Sequence, residues 1–66
     1  MEQNLKKAIF IVGGVPAMAR ELEITPQAVR QWKRSPVLRA SQIEEITSGR
    51  VSRYALRPDV FGAPPK

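Results

Sequence analysis

Apolar residues recur at helical spacing along most of this chain, in short stretches separated by glycine and proline. The first stretch, residues 4–12, has four apolar side chains at i, i+3, i+4 and i+7, on one face of a helix. They are Leu5, Ala8, Ile9 and Val12. Asn4 is the predicted N-cap, although the β-favouring run at residues 9–12 is also compatible with a strand. Gly13 and Gly14 end the segment in either case.

Two further helices are predicted on either side of a short turn at residues 23–24. The first covers residues 15–22, and the second begins at Thr25, a good N-cap residue, followed by Pro26. The second is predicted to continue to residue 33 or 34. The apolar faces of these helices are formed by Val15, Met18, Ala19 and Leu22, and by Ala28, Val29 and Trp32.

The second half of the chain predicts one longer helix and one short one. The longer helix covers about residues 37–47 and has Ser35 as a candidate N-cap. Its apolar phase is set by Leu38, Ser41, Ile43 and Ile46. Ser52 then caps a short helix that Pro58 ends. These elements predict an all-α fold of four to five short helices in one domain, residues 1–61, with a disordered tail at residues 62–66.

Residues 15–34 fit the spacing of a helix-turn-helix motif. The motif packs two short helices at about a right angle, so a small residue is needed midway along the first helix, where Ala19 lies. An apolar residue must fill the gap just past the turn, and Ile24 does so. Val29 and Trp32 then face inward from the second helix. The pattern therefore predicts a DNA-binding motif whose second helix enters the major groove.

The outward face of that second helix carries long hydrogen-bonding side chains at i, i+3, i+4 and i+7. They are Gln27, Arg30, Gln31 and Arg34. No acidic residue occurs from residue 24 to residue 43, whereas an ordinary solvated helix face mixes glutamate with lysine and arginine. Arginine reads guanine bidentately, and glutamine can read adenine. The stripe therefore favours DNA recognition over a merely solvated surface.

The composition narrows the functional classes further. The chain of 66 residues has 11 Lys and Arg against 6 Asp and Glu, a formal net charge of +5, which attracts polyanions. It has no cysteine and no histidine, so neither an enzyme nor a metal or cofactor site is predicted. No stretch approaches the ~18 apolar residues of a membrane span, and the N-terminus does not resemble a signal peptide. A cytoplasmic protein without a membrane or small-molecule partner is expected.

Several stretches resemble known proteins. Residues 17–22 (AMAREL) and residues 24–33 (ITPQAVRQWK) resemble the helix-turn-helix of phage Cro repressors. Residues 43–51 (IEEITSGRV) and residues 56–61 (LRPDVF) resemble the ending of a Cro-like group, the YdaS-type regulators. The resemblance spans about residues 4–62.

This resemblance implies a phage or prophage regulator of a bacterial host that binds a palindromic operator as a dimer, with half-sites about 34 Å apart. It places the base-reading positions at Pro26, Gln27, Arg30 and Gln31. The motif's turn usually has glycine where this chain has Glu23, which must adopt a positive φ at some cost or widen the turn. Cro proteins are all-helical or carry a C-terminal β-ribbon. Residues 50–54 could form such a strand, so α+β is the alternative to the preferred all-α fold.

The remaining candidates are basic residues that could contact the DNA backbone and apolar residues that could form a dimer surface. Contacts to the DNA backbone supply affinity without sequence information. The residues predicted to make them are Thr25, Lys33, Arg34, Arg39, Lys6 and Lys7. A homodimer is expected that is weak in solution or forms only on DNA. Its candidate surface is Val51, Tyr54, Leu56, Val60 and Phe61. The alternative for these apolar residues is that they simply cover the first helix.

Two functional classes follow from this reading. The first is a sequence-specific operator-binding repressor that acts on duplex DNA. The second is a protein-interaction module, such as the antitoxin half of a toxin pair, in which DNA binding is only autoregulatory. In the second class the C-terminal apolar residues would hold the protein partner.

Overall fold

The computed structural model describes residues 1–64, and within them the chain forms six short helices and no strand. The helices are α1 (Gln3–Val12), α2 (Val15–Leu22), α3 (Pro26–Arg30), α4 (Val37–Ile46), α5 (Arg53–Leu56) and α6 (Pro58–Phe61). This confirms the all-α fold class, with one helix more than predicted. The β-ribbon alternative is wrong, because residues 50–52 form no strand and lead directly into α5.

The N-cap of the first helix lies two residues earlier than predicted. The side chain of Glu2 is the N-cap, since its Oε2 accepts a hydrogen bond from the Leu5 N–H at 2.9 Å. The prediction that Asn4 caps the helix is therefore wrong. The Asn4 side-chain amide instead donates to Glu2 Oε1 at 2.9 Å and to the Ala55 carbonyl at 3.2 Å. Asn4 thus joins the start of α1 to α5.

The second helix covers the residues that its apolar spacing predicted, and the turn after it is closed by a strained residue. Glu23 has φ 58° and ψ 42°, in the left-handed region. The N–H of Ile24 donates to the Ala19 carbonyl at 2.9 Å, which satisfies one of the last carbonyls of α2. Of the two expectations for Glu23, the structure shows the first: it adopts the positive φ.

We expect Glu23→Gly to stabilise the fold by roughly 0.5–1 kcal/mol. Removing the β-carbon relieves about 1–2 kcal/mol of strain in the left-handed conformation. The greater flexibility of glycine in the unfolded chain offsets about 0.4–1 kcal/mol of this gain. Thermal unfolding followed by circular dichroism measures the change as a higher Tm. Glu21→Gly is the matched control, because Glu21 lies within α2 and glycine there should lower Tm. A lower Tm for Glu23→Gly would contradict the strain argument.

The third helix is shorter than predicted. It ends at Arg30, and the prediction that it continues to residue 33 or 34 is wrong. The Gln31 N–H still donates to the Gln27 carbonyl, but the Trp32 N–H donates to Val29 at the tighter i−3 spacing. The Lys33 carbonyl then accepts the Glu2 N–H at 2.7 Å, which draws the chain towards the start of α1. Trp32 remains partly buried against the core, as its apolar spacing indicated.

The fourth helix differs from the prediction at its start. Pro36 occupies the N-cap position, and Ser35 does not cap: it is buried, and its hydroxyl donates to the Pro36 carbonyl. Leu38, which set the predicted apolar phase, is 89% exposed. The buried positions are Ala40, Ile43 and Thr47. Because these residues lie at i, i+3 and i+7, α4 is rotated relative to the predicted phase.

The core consists of buried side chains from α1 to α5 and from the turn before α5. Its apolar members are Leu5, Ala8, Ile9, Met18, Ala19, Leu22, Val29, Ala40, Ile43, Val51 and Leu56. Pro58 begins α6 rather than ending the helical structure, in keeping with the tolerance of proline in a first turn. Residues 62–64 follow α6 without helix or strand, and residues 65–66 of the predicted tail lie outside the described part of the chain.

Candidate nucleic-acid interface

The helix-turn-helix holds α3 on the surface by a small set of buried contacts. Met18, Ala19 and Leu22 of α2 are buried together with Val29, the only fully buried residue of α3. Ile24, in the turn, packs against the same cluster. The motif predicted from the spacing of these residues is therefore present. The orientation of α3 depends on the buried side chain of Val29 and on the packing of Ile24 in the turn.

The residues predicted to read bases lie on or beside this short helix. Gln27, Arg30 and Gln31 are exposed, and Pro26 is half-buried at the start of α3. Thr25 caps the helix, with its Oγ1 accepting the Ala28 N–H at 3.2 Å. Gln31 follows the helix in the right-handed α conformation, so the i, i+3, i+4 relation of the three polar side chains is kept. The structure thus brings all four candidates together.

The candidate contacts to the DNA backbone are more dispersed. Lys33, just after α3, is exposed, and its backbone carbonyl accepts the hydrogen bond from the Glu2 N–H. Lys6 and Lys7 are exposed on α1. Arg39 of α4 donates from Nη1 to Gln42 Oε1 at 2.8 Å and to the Leu22 carbonyl at 3.4 Å. Arg39 therefore supports the end of α2, which limits its freedom to reach a phosphate.

An acidic residue far along the sequence meets the basic end of the predicted stripe. Asp59 of α6 accepts hydrogen bonds from Arg57, with Nε to Oδ1 at 3.0 Å and Nη2 to Oδ2 at 2.8 Å, and forms an ion pair with Arg34. Arg57 also donates from Nη1 to the Ser35 carbonyl at 3.2 Å. The hydrogen bonds from Arg57, with the charges of Arg34 and Arg57, hold the pKa of the Asp59 carboxyl well below its usual range.

Neither Asp59 nor Arg57 was predicted as part of the site. The acid-free window that indicated DNA binding, residues 24–43, says nothing about acids brought in by the fold. The available signal was that Asp59 is the only acidic residue after Glu45 and lies between an arginine–proline pair and two apolar residues.

The candidate dimer surface is smaller than predicted. Val51 and Leu56 are each 2% exposed and belong to the core, so the prediction that they offer a partner surface is wrong. They share the core with the buried residues of α1, in line with the alternative that they cover the first helix. Val60 is 49% exposed, while Tyr54 and Phe61 are half-buried.

The two half-buried aromatic residues form one cluster with an arginine. The Tyr54 and Phe61 rings meet edge to face, with centroids 6.3 Å apart. The Arg53 guanidinium lies 5.3 Å from the Tyr54 ring centroid and 5.9 Å from that of Phe61. This cation–π arrangement stabilises the packing of α6 on α5.

The structure also bears on two other kinds of site, a metal site and a membrane-spanning helix. Within residues 1–64, no cluster of three or more acidic residues is placed to hold a metal ion. No helix in the same range has the length and apolar character required to cross a bilayer.

Comparisons with known proteins agree in pointing to one group. The family model described as bacterial toxin YdaS matches residues 5–65. A relative from Escherichia coli (strain K12), named as a candidate transcriptional regulator YdaS, is 41% identical over 61 residues, which cover 86% of this chain and 62% of the relative. The chain therefore spans less than two thirds of that relative's length.

A solved structure shares the fold over nearly the whole chain. It is the Cro protein from a candidate prophage element, Xfaso 1, of Xylella fastidiosa strain Ann-1. The two chains are 38% identical and superpose with a TM-score of 0.88, over 94% of this chain and 100% of the Cro protein. The resemblance predicted from the sequence is confirmed.

Proposed function

This chain belongs to the YdaS family, and from that premise we propose that it is a Cro-type transcriptional regulator that binds duplex DNA through α3. The observation that carries the proposal is the exposed set Gln27, Arg30 and Gln31 on the second helix of a helix-turn-helix. The matching Cro structure and the relative named as a regulator support it. On this proposal the protein acts in the cytoplasm of a bacterial host.

The geometry suggests how α3 would read a site. Arg30 can donate two hydrogen bonds to the O6 and N7 of one guanine, and Gln27 and Gln31 can each pair with an adenine edge. Pro26 and Thr25, at the start of α3, approach the groove wall. Because α3 has only five residues and Gln31 follows it, base reading is confined to about one and a half helical turns.

Affinity would come from basic residues around that helix. Lys33 lies three residues beyond the end of the reading helix, and Lys6 and Lys7 carry charge on α1. Each contact to a phosphate adds affinity that decreases as the salt concentration rises and that does not depend on the DNA sequence. Arg34 and Arg39 are proposed for the same role, although each has a partner within the chain.

A palindromic operator would be read by two copies of the chain. The two α3 helices would then lie about 34 Å apart, one turn of DNA. Of the apolar residues predicted for a contact between copies, Tyr54, Val60 and Phe61, on α5 and α6, are still accessible. Repression would follow from occupying a site that RNA polymerase needs.

The test is a selection from a random duplex library, repeated with Arg30→Ala and Gln31→Ala. We expect a palindromic consensus with half-sites about one helical turn apart, and loss of preference at particular bases with each substitution. Lys33→Ala is the matched control: it should weaken binding evenly across sequences and leave the consensus unchanged. Recovered duplexes without a consensus, bound equally by all variants, would contradict sequence-specific recognition.

A second candidate function places the chain in a toxin–antitoxin pair, since the family model that it matches is described as a bacterial toxin. The chain would then act through a protein partner, as in the antitoxin-like alternative, with DNA binding limited to autoregulation. The duplex selection alone does not separate the two, because autoregulation also requires DNA binding. Partner binding by the Arg30→Ala and Gln31→Ala variants does, because a protein-interaction module has no need of these side chains to hold its partner. The expected result for this candidate is a stable complex with a protein from a neighbouring gene that survives both substitutions.

A further inference from the structure

Asp59 places a negative charge beside the proposed DNA-binding surface. It lies on α6 but contacts Arg34, which is four residues beyond Arg30 in sequence and just after the reading helix. The chain between Arg34 and Asp59 includes α4 and α5, so this contact exists only in the folded protein. Asp59 thereby neutralises Arg34, which the sequence pattern placed on the polar stripe and which lies beyond the end of α3 in the structure.

The two arginines hold Asp59 in different ways. Arg57 binds both carboxylate oxygens, and its side chain is only 16% exposed. Arg34 contacts one oxygen through Nη2, and its side chain is 50% exposed. Arg57 therefore fixes the carboxylate in place, whereas Arg34 can leave it without moving α6 or the core.

We propose that Asp59 stands in for a DNA phosphate in the free protein, and that Arg34 exchanges Asp59 for a backbone phosphate when the duplex binds. This inference rests on the proposed function and adds an autoinhibitory contact to it. A phosphate offers the planar guanidinium the same bidentate geometry as a carboxylate, with more oxygens and more charge.

The position of Arg34 makes the exchange sterically simple. Its neighbour Lys33 is exposed and is itself a candidate phosphate contact. The Arg34 side chain is half-exposed, so its guanidinium is reachable from solvent while it contacts Asp59. The exposed ion pair is weak enough for a phosphate to compete with it.

The test measures binding of a fluorescent duplex of about three helical turns, ~30 bp, of mixed sequence, as a function of salt. Asp59→Asn removes the competing charge and keeps the shape of the side chain. Glu45→Gln is the matched control, because Glu45 is an exposed acid on α4 and its replacement changes the net charge by the same amount. We expect Asp59→Asn to bind about two- to fivefold tighter than Glu45→Gln.

Arg34→Gln, alone and combined with Asp59→Asn, identifies the residue responsible. The combination should remove the whole gain, and Arg34→Gln alone should reduce the slope of log K against log salt by about 0.9. Equal affinities for Asp59→Asn and Glu45→Gln, or a gain that survives Arg34→Gln, would overturn the inference.

Two further outcomes are distinguishable. If the unaltered chain and all variants bind no duplex, the proposed function has failed and the inference fails with it. If Asp59→Asn does not fold at the assay temperature, Arg34→Gln tests the phosphate contact that the exchange requires: an unchanged salt slope overturns the exchange, and a slope reduced by about one phosphate supports this half of it.

Discussion

Met18→Ala should lower the free energy of unfolding by about 2–5 kcal/mol, which is most of the stability of a domain this small. Met18 is fully buried in α2, at the centre of the core shared with Val29 and Leu22. From the usual value per residue, 66 residues have a total stability of about 3–10 kcal/mol. The truncated side chain leaves a cavity that a small core cannot fill by rearrangement. Urea unfolding followed by circular dichroism measures the loss.

Met18→Leu is the control for this prediction, since it nearly conserves volume and should cost less than about 1.5 kcal/mol. DNA binding by Met18→Ala should fall with the folded fraction and recover at low temperature where that fraction recovers. A Met18→Ala variant as stable as Met18→Leu would mean that the core between α2 and α3 is much looser than its burial indicates.

Gly14→Ala should lower the free energy of unfolding by about 1–3 kcal/mol. Gly14 lies between α1 and α2 with φ 111° and ψ 177°, a conformation that side-chain-bearing residues rarely adopt. An added β-carbon would meet Pro16 Cδ at 3.8 Å, an ordinary contact, so the effect would come from the backbone and not from a clash. Thermal and urea unfolding measure it.

Gly49→Ala is the control for Gly14→Ala, because it tests alanine at a second glycine with a positive φ but a less unusual backbone conformation. Gly49 also has a positive φ, 79°, and an added β-carbon would meet nothing within 4 Å. Its φ is closer to the left-handed region that other residues tolerate, so we expect a loss of about 1 kcal/mol or less. If Gly14→Ala and Gly49→Ala lowered the free energy of unfolding equally, the unusual backbone conformation of Gly14 would not be needed for the chain to pass from α1 into α2.

Local rules of helix formation predicted much of the fold. The bounds of α2 and the caps at Thr25 and Ser52 depend on interactions within a few residues, and all are present. The helix-turn-helix spacing succeeded for a similar reason, because packing across a short turn leaves few choices for the residues at the crossing. The exposed polar face of α3 followed from that packing.

The errors arose where distant parts of the chain compete with local preference. Trp32 kept the apolar phase of α3, yet the helix ended earlier because the Lys33 carbonyl pairs with the Glu2 N–H. Leu38 appeared to set the phase of α4, whereas the core is satisfied by Ala40 and Ile43. The Asp59 contact to Arg34 spans 25 residues and has no local signature at all.

The way α3 is anchored has a consequence for how the protein could evolve. Its single buried side chain, Val29, fixes the position of the helix, while its polar side chains project into solvent and take no part in the core. Substitutions at exposed positions usually change stability by no more than about 0.5 kcal/mol. The proposed reading residues can therefore drift to match a changed operator without endangering the fold, and related chains can acquire new DNA specificities on one unchanged scaffold.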